Sequence, residues 1–217
     1  MRLFATMLVC ALPFEAGAEP EPGLALKGGF NAATLAHDYR VHRYGVSGGA
    51  AGYLRWSLGD RLSLAGQLDL LYTPRGANAV FDGELQGRSR QRYFDVTLAA
   101  RPEMRLGRVS IYLLLGVGVN RLLSAEKESI SGSRDDITNE LYRIDVALLG
   151  GAGVALHLPR HGLGPFRLGT IFLEARHDHG LLDTDKVNGG FKNRSSSLMA
   201  GLSFAIASGS EPSSDRR

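Results

Sequence analysis

The chain has 217 residues, is 44% hydrophobic and 22% charged, and carries a formal net charge of +3. That length suits one β-barrel or sandwich domain, and the charge is too small to point to nucleic acid by itself. The only cysteine, Cys10, lies in a segment expected to be removed, which excludes a disulfide scaffold, a cysteine-ligated metal and thiol catalysis from the mature chain.

Residues 1–18, "MRLFATMLVCALPFEAGA", begin with Arg2, continue with an apolar run from Leu3 to Phe14 and end on the small residues Ala16 and Ala18. This is the pattern of a secretory signal peptide, with cleavage after Ala18. Val9 precedes Cys10 where a lipoprotein signal wants a small residue. The apolar run is too short to span a bilayer as a helix, and no later stretch approaches the roughly 18 to 20 apolar residues needed. The expected organisation is a signal peptide at 1–18, one barrel at 19–206 and a polar, disordered tail at 207–217.

Eight segments then alternate with a period of two, the signature of strands. They run from about Leu24 to Leu35, Val46 to Leu58, Leu62 to Thr73, Tyr93 to Arg101, Val109 to Leu122, Ile144 to His157, Thr170 to His179 and Ser195 to Ile206. Most are longer than the usual soluble strand of about 5 or 6 residues and close to the ~9–11 that cross a bilayer at a tilt. Short connections follow the even strands: "GD" at Gly59, "PEMRLGR" and the longer "LPRHGLGPFRLG". Long polar stretches follow the odd ones, among them Pro74 to Gln91 and Ser124 to Arg143. Short turns on one side and long loops on the other predict an all-β fold, an eight-stranded antiparallel up-and-down transmembrane β-barrel.

One face of these strands collects Leu24, Phe30, Leu62, Leu68, Leu70, Leu98, Leu115, Leu148, Leu173 and Leu198, with no charged residue. The other carries Lys27, Arg55, Arg101 and Arg176 against Asp69, Asp95, Asp145 and Glu174. A balanced set suits a narrow lumen in which every charge needs a partner. An eight-stranded barrel is just wide enough for side chains to fill it, so a plugged barrel is expected rather than a pore. The chain also has 28 glycines, and 21 Arg against 4 Lys; arginine is the cation preferred in buried pairs and at phosphate. Trp56 and Tyr72, near strand ends on the apolar face, are placed for an interfacial aromatic belt.

The last strand, "SSSLMAGLSFAI", resembles the closing strand of outer-membrane barrels, with Gly201 followed by Phe204 and Ile206. Together with "GGFNAATL", "RYFDVTLAARPEMR", "IYLLLGVGVNRLLSA" and "FLEARHDHGLLD", the chain resembles the PorT-like outer-membrane barrels, related in architecture to the transmembrane domain of OmpA. The resemblance implies an outer-membrane location, this fold and insertion by the barrel-assembly machinery, but no single activity. The tail "ASGSEPSSDRR" departs from family members that end on the aromatic.

Several clusters bear on chemistry. His177 and His179 in "RHDHG" lie on the apolar face. Some eight-stranded barrels that deacylate lipid A carry a His and a Ser two residues apart there, but the second position here is His, so the motif lacks a nucleophile. As metal ligands the two histidines lack a specified third partner beyond Asp183, and no metal or cofactor is expected. "GVGVN" and "GGAGVA" lie inside strands with no following helix and do not read as phosphate loops. Arginines crowd the predicted loops and strand ends, and Arg92, Arg121, Arg143 and Arg194 are the candidates for gripping lipopolysaccharide phosphates. The expected protein is a small non-enzymatic barrel whose partners are membrane lipid, lipopolysaccharide and a protein met through the loops. A lipid-modifying barrel enzyme and a soluble, exported lipocalin-like binder are the alternatives.

Overall fold

A computed structural model describes residues 19–35, 40–81, 84–161, 166–183, 186 and 192–206. The expected signal peptide and tail lie outside these residues. The strands are β1 (Glu21–Leu35), β2 (Arg40–Ser57), β3 (Leu62–Phe81), β4 (Glu84–Leu106), β5 (Val109–Ser129), β6 (Arg134–Asp136), β7 (Ile144–His161), β8 (Phe166–Gly180) and β9 (Asn193–Ile206). Every pairing is antiparallel, β4 pairs β5, and β1 meets β9 from Gly23↔Ala205 to Leu35↔Asn193. The eight long strands therefore form a closed barrel without a free edge, the solution that satisfies every strand inside a membrane.

Alternation shows directly on β5. Val109, Ile111, Leu113, Leu115, Val117 and Val119 are exposed, while Ser110, Tyr112, Leu114, Gly118 and Asn120 between them are buried. At ~3.4 Å per residue and a ~40° tilt this run rises ~26 Å, the height of a lipid-facing band. The same row of exposed apolar residues continues as Leu24 and Leu26, Leu68 and Leu70, Leu98, Leu148, Ile171 and Leu173, and Leu198 and Leu202. The leucines thus face outward and the charges inward, the reverse of a lipocalin-like binder; that alternative is set aside.

Inside, aromatic rings lie over glycines of the neighbouring strand. A Cβ on Gly153 would strike the Tyr112 ring, and one on Gly201 the Phe172 ring. Glycine inside a strand normally weakens it, but here it makes room for a ring that fills the lumen. Gly107, with φ of 68°, makes the tight turn between β4 and β5, a conformation that costs a residue with a Cβ more.

Two expectations are corrected. The stretch from Pro74 to Gln91, expected as a loop, is mainly strand: β3 and β4 stay paired through Phe81↔Glu84. The stretch from Ser124 to Arg143 likewise continues β5 to Ser129 and folds β6 back on it through Glu128↔Arg134. At two of the expected strand ends the misleading residue is a proline, Pro74 and Pro102; Ser124 to Arg143 contains none. Pro74 falls where the β2–β3 ladder skips from Gly48↔Tyr72 to His42↔Ala77, and Pro102 where the β4–β5 ladder skips from Ala100↔Leu115 to Glu103↔Tyr112. Such irregularities let a strand accept a residue with no N–H.

Candidate functional site

The lumen is built in three levels. At mid-height, Lys27 of β1 reaches Asp69 at 2.9 Å and Glu174 at 3.1 Å, and Arg176 reaches Asp69 at 3.1 Å and Asp178 at 3.3 Å. Gln67 donates to Asp69 at 3.0 Å, and Tyr112 donates to Glu174 at 3.3 Å. Asp69 is fully buried, and these neighbours supply the polar partners that a group removed from water needs. Strands from opposite walls supply the partners, β3 with Asp69 and β8 with Glu174 and Arg176, so the network crosses the lumen.

Toward the loop end, Arg75 pairs Asp95 at 2.8 Å and stacks over Tyr93 at 5.0 Å. The Asn120 amide, oriented to satisfy both neighbours, donates to Asp95 and accepts from Arg75, each at 3.1 Å. Toward the turn end, Glu103 meets Arg55 and Arg101 at 3.3 Å each. Arg101 lies 3.8 Å above the Tyr112 ring, and Ser110 Oγ sits 2.6 Å from His157 Nε2. A vestibule of about 260 Å³ opens below this level, lined by Arg55, Glu103 and His157 among others.

All eight lumen candidates point inward, and three of the residues that complete the network escaped the sequence reading: Arg75, Glu103 and Asp178. The first two sit next to the prolines taken as strand ends. Asp178 was hidden between two histidines, although strict alternation from Arg176 would have placed it inside. One candidate differs from its expected role. Asp145 makes no ion pair among the described residues; its Oδ2 accepts from Asn193 Nδ2 at 3.3 Å, while the nearby Arg75 is engaged by Asp95.

On the outer surface, Arg92, Arg121, Arg143 and Arg194 are all exposed and occupy the row just above the apolar band. Phe94 pairs Arg121, Arg121 pairs Ile144, and Arg194 pairs both Thr34 and His179. Arg92 stands 4.0 Å from Glu126, and Arg143 donates to Asn139 at 3.3 Å. The protruding hairpin has its own pairs, Arg90 and Arg134 on Glu128 at 2.8 and 3.4 Å. Partial desolvation pushes the Glu128 carboxyl up, but Arg90 and Arg134 outweigh it and hold it below its ordinary value.

His177 and His179 are on the outer face as expected, and among the described residues no third metal-ligating side chain joins them. Sequence reasoning missed a contact here: His177 Nδ1 lies 2.9 Å from Ser196 Oγ on the adjacent strand. The two residues are 19 apart in sequence, so only the β8–β9 register, His177↔Ser196, brings them together.

The chain matches the outer membrane protein beta-barrel domain family over residues 3–208, which shows an outer-membrane barrel but not the PorT-like group its motifs resemble. No curated protein matches it. Among solved structures it is similar to Neisserial surface protein A, with 13% identity, a TM-score of 0.49, and coverage of 84% of this chain and 95% of that one. Ail, the attachment invasion locus protein of Yersinia pestis, solved with the heparin analogue sucrose octasulfate, shows 18% identity, a TM-score of 0.44, and coverage of 86% and 99%. OprG of Pseudomonas aeruginosa shows 10% identity, a TM-score of 0.39, and coverage of 87% and 97%. With a family match over almost its whole length and a closed barrel that is apolar outside and charged within, the chain belongs to the outer membrane protein beta-barrel domain family and resides in the outer membrane.

Proposed function

We propose that this protein is a non-enzymatic outer-membrane barrel that presents its outer rim and protruding β3–β6 sheet to lipopolysaccharide, a surface polymer or a partner protein. Residues 1–18 serve as its export signal and are removed. Residues 19–206 are inserted by the barrel-assembly machinery, and 207–217 remain as a polar tail. The observation that carries the reading is the position of Arg92, Arg121, Arg143 and Arg194, exposed directly above an uncharged lipid-facing band. That is the level of lipid phosphates, which guanidinium binds in bidentate fashion. Purifying the barrel with all four arginines replaced by Gln tests the reading. Co-purifying lipopolysaccharide should fall well below the wild-type amount, whereas unchanged retention would refute contact through this rim.

A second reading, an enzyme that modifies lipid A or phospholipid, is favoured by the exposed Ser196–His177 contact at 2.9 Å. It ranks below the first because no carboxylate orients the other His177 nitrogen among the described residues, and the flanking strands hold their backbone in the ladder. An oxyanion needs donors free of such pairing. Release of fatty acid from lipid A by the wild type, lost in Ser196→Ala, would reverse this ranking.

A further inference from the structure

The lipid-facing surface is not evenly filled. Over most of the band the outward side chains are Leu, Val or Ile, but where β7, β8, β9 and β1 adjoin they shrink to Gly150, Ala152, Ala175 and Ala32. The result is a groove of about 660 Å³. Phe30 and Tyr44, 72% and 77% exposed, wall one side as the most exposed aromatic side chains among the described residues. Below, the surface continues into a second hollow that shares Ala152, Ala175 and Leu198 with the first and runs on past Leu173 toward Val154 and Ile111. The depression therefore descends through the apolar band from the level of the arginine rim.

Its upper end has a different chemistry. His177 and Ser196 line the groove there, and His179 and Arg194, a cross-strand pair, stand one outward row higher. No acidic side chain lies on the outward face of β7, β8, β9 or β1 between the rim and the foot of the groove. Asp183 comes only after β8 has ended. A hollow that admits only apolar matter, capped by a cation and two imidazoles with no opposing carboxylate, is complementary to one kind of molecule in an outer leaflet.

We propose that this groove is a lipid-binding site that seats one acyl chain of a phosphate-bearing lipid, with the chain along Ala152 and Ala175 and the phosphate at Arg194 and His179. This deepens the proposal of contact through the arginine rim and rests on it. Filling a trough floored by small residues restores the packing a void would forfeit, and a guanidinium with imidazole donors adds charge-assisted hydrogen bonds to phosphate oxygens. The contribution of His177 is to keep Ser196 engaged and the groove mouth polar, without any bond being made or broken.

The test uses the full barrel in detergent micelles and native mass spectrometry to count retained lipid, with phosphatidylglycerol and a diacylglycerol of identical chains, which lacks the phosphate, as probes. The wild type should retain one phosphatidylglycerol about tenfold in preference to the diacylglycerol, the size expected of one charge-assisted contact. Ala175→Leu and Ala152→Leu, each filling the trough, should abolish retention of both lipids. Arg194→Gln with His179→Gln should remove only the preference. A band that shifts on boiling verifies folding of each variant, and two separate groove-filling variants guard against the loss of one. Equal retention of the two lipids by the wild type, or retention unaffected by the leucines, would overturn the site. The variant R92Q/R121Q/R143Q, which alters the rim away from the groove, separates the two ideas. If it alone loses lipid, rim contact stands and the groove does not; if neither set matters, both are wrong.

Discussion

The same strand behaves differently below and above the membrane edge. From Leu62 to Tyr72, β3 alternates exposed apolar or small residues with buried Gln67, Asp69 and Leu71, because one face meets lipid and the other a closed lumen. Beyond Thr73 it stays paired to β4 through Phe81↔Glu84, but from Pro74 to Asn78 it runs "PRGAN", where no exposed Leu, Val or Ile continues the outward row. Ladder pairing is common to both regions; what differs is the solvent on the outward face. In the band, a side chain on the wrong face is costly on either side, whereas above it only the inward residues, such as Arg75 and Ala77, are constrained. Stability should therefore be concentrated at membrane level, while the protruding sheet should tolerate change.

That contrast can be broken first in the lumen. Asp69→Ala removes the acceptor shared by Lys27 and Arg176 and leaves buried cations with only Glu174 and Asp178 to balance them. Uncompensating a buried charge costs about 3–5 kcal/mol, and the loss should appear as a lower urea midpoint for the heat-modifiable band in lipid vesicles. Next in size is the outward face. Leu115→Arg, near mid-height and 61% exposed, should cost about 2–4 kcal/mol by the depth rule for cations facing lipid. Ile130→Arg, similarly exposed but beyond the β5 end, should stay within about 0.5 kcal/mol because its surroundings are water. If these two substitutions cost the same, the band does not lie where the alternation puts it.

The smallest effect belongs to the protruding hairpin. Glu128 is held below its ordinary carboxylate value by Arg90 and Arg134. Its contribution is therefore complete above the ordinary value and fades as pH falls through the lowered one. Amide exchange around Ser129 and Arg134 should quicken under acid while the barrel strands stay protected. Equal loss of protection in both regions would contradict the division.

The same physics decides what was legible in the sequence. Strand identity, the eight-stranded count and the inward charges were readable because two unlike solvents impose a strict period of two. Asp69 between Leu68 and Leu70 is the simplest case. Arg75 and Glu103 were lost where Pro74 and Pro102 mimic strand ends; a proline beside a ladder irregularity looks, in one dimension, the same as a proline in a turn. The extension of β3 to β5 was lost because its outward residues, such as Arg88 and Arg90, are polar where those of the band are apolar, so the apolar alternation stops there although Ala77, Gln91 and Ala125 stay buried. The Ser196–His177 contact and the groove floor of Gly150, Ala152 and Ala175 depend on register across three strands, and register is set by closure of the whole barrel rather than by any local stretch.

The central claim is that paired charges fill the barrel from wall to wall. The most direct measurement is current across a planar lipid bilayer containing the purified protein. The account predicts no stable conductance steps for the wild type. Long-lived, reproducible open steps would mean that Lys27, Asp69, Glu174 and Arg176 leave a passage between them, and would contradict it.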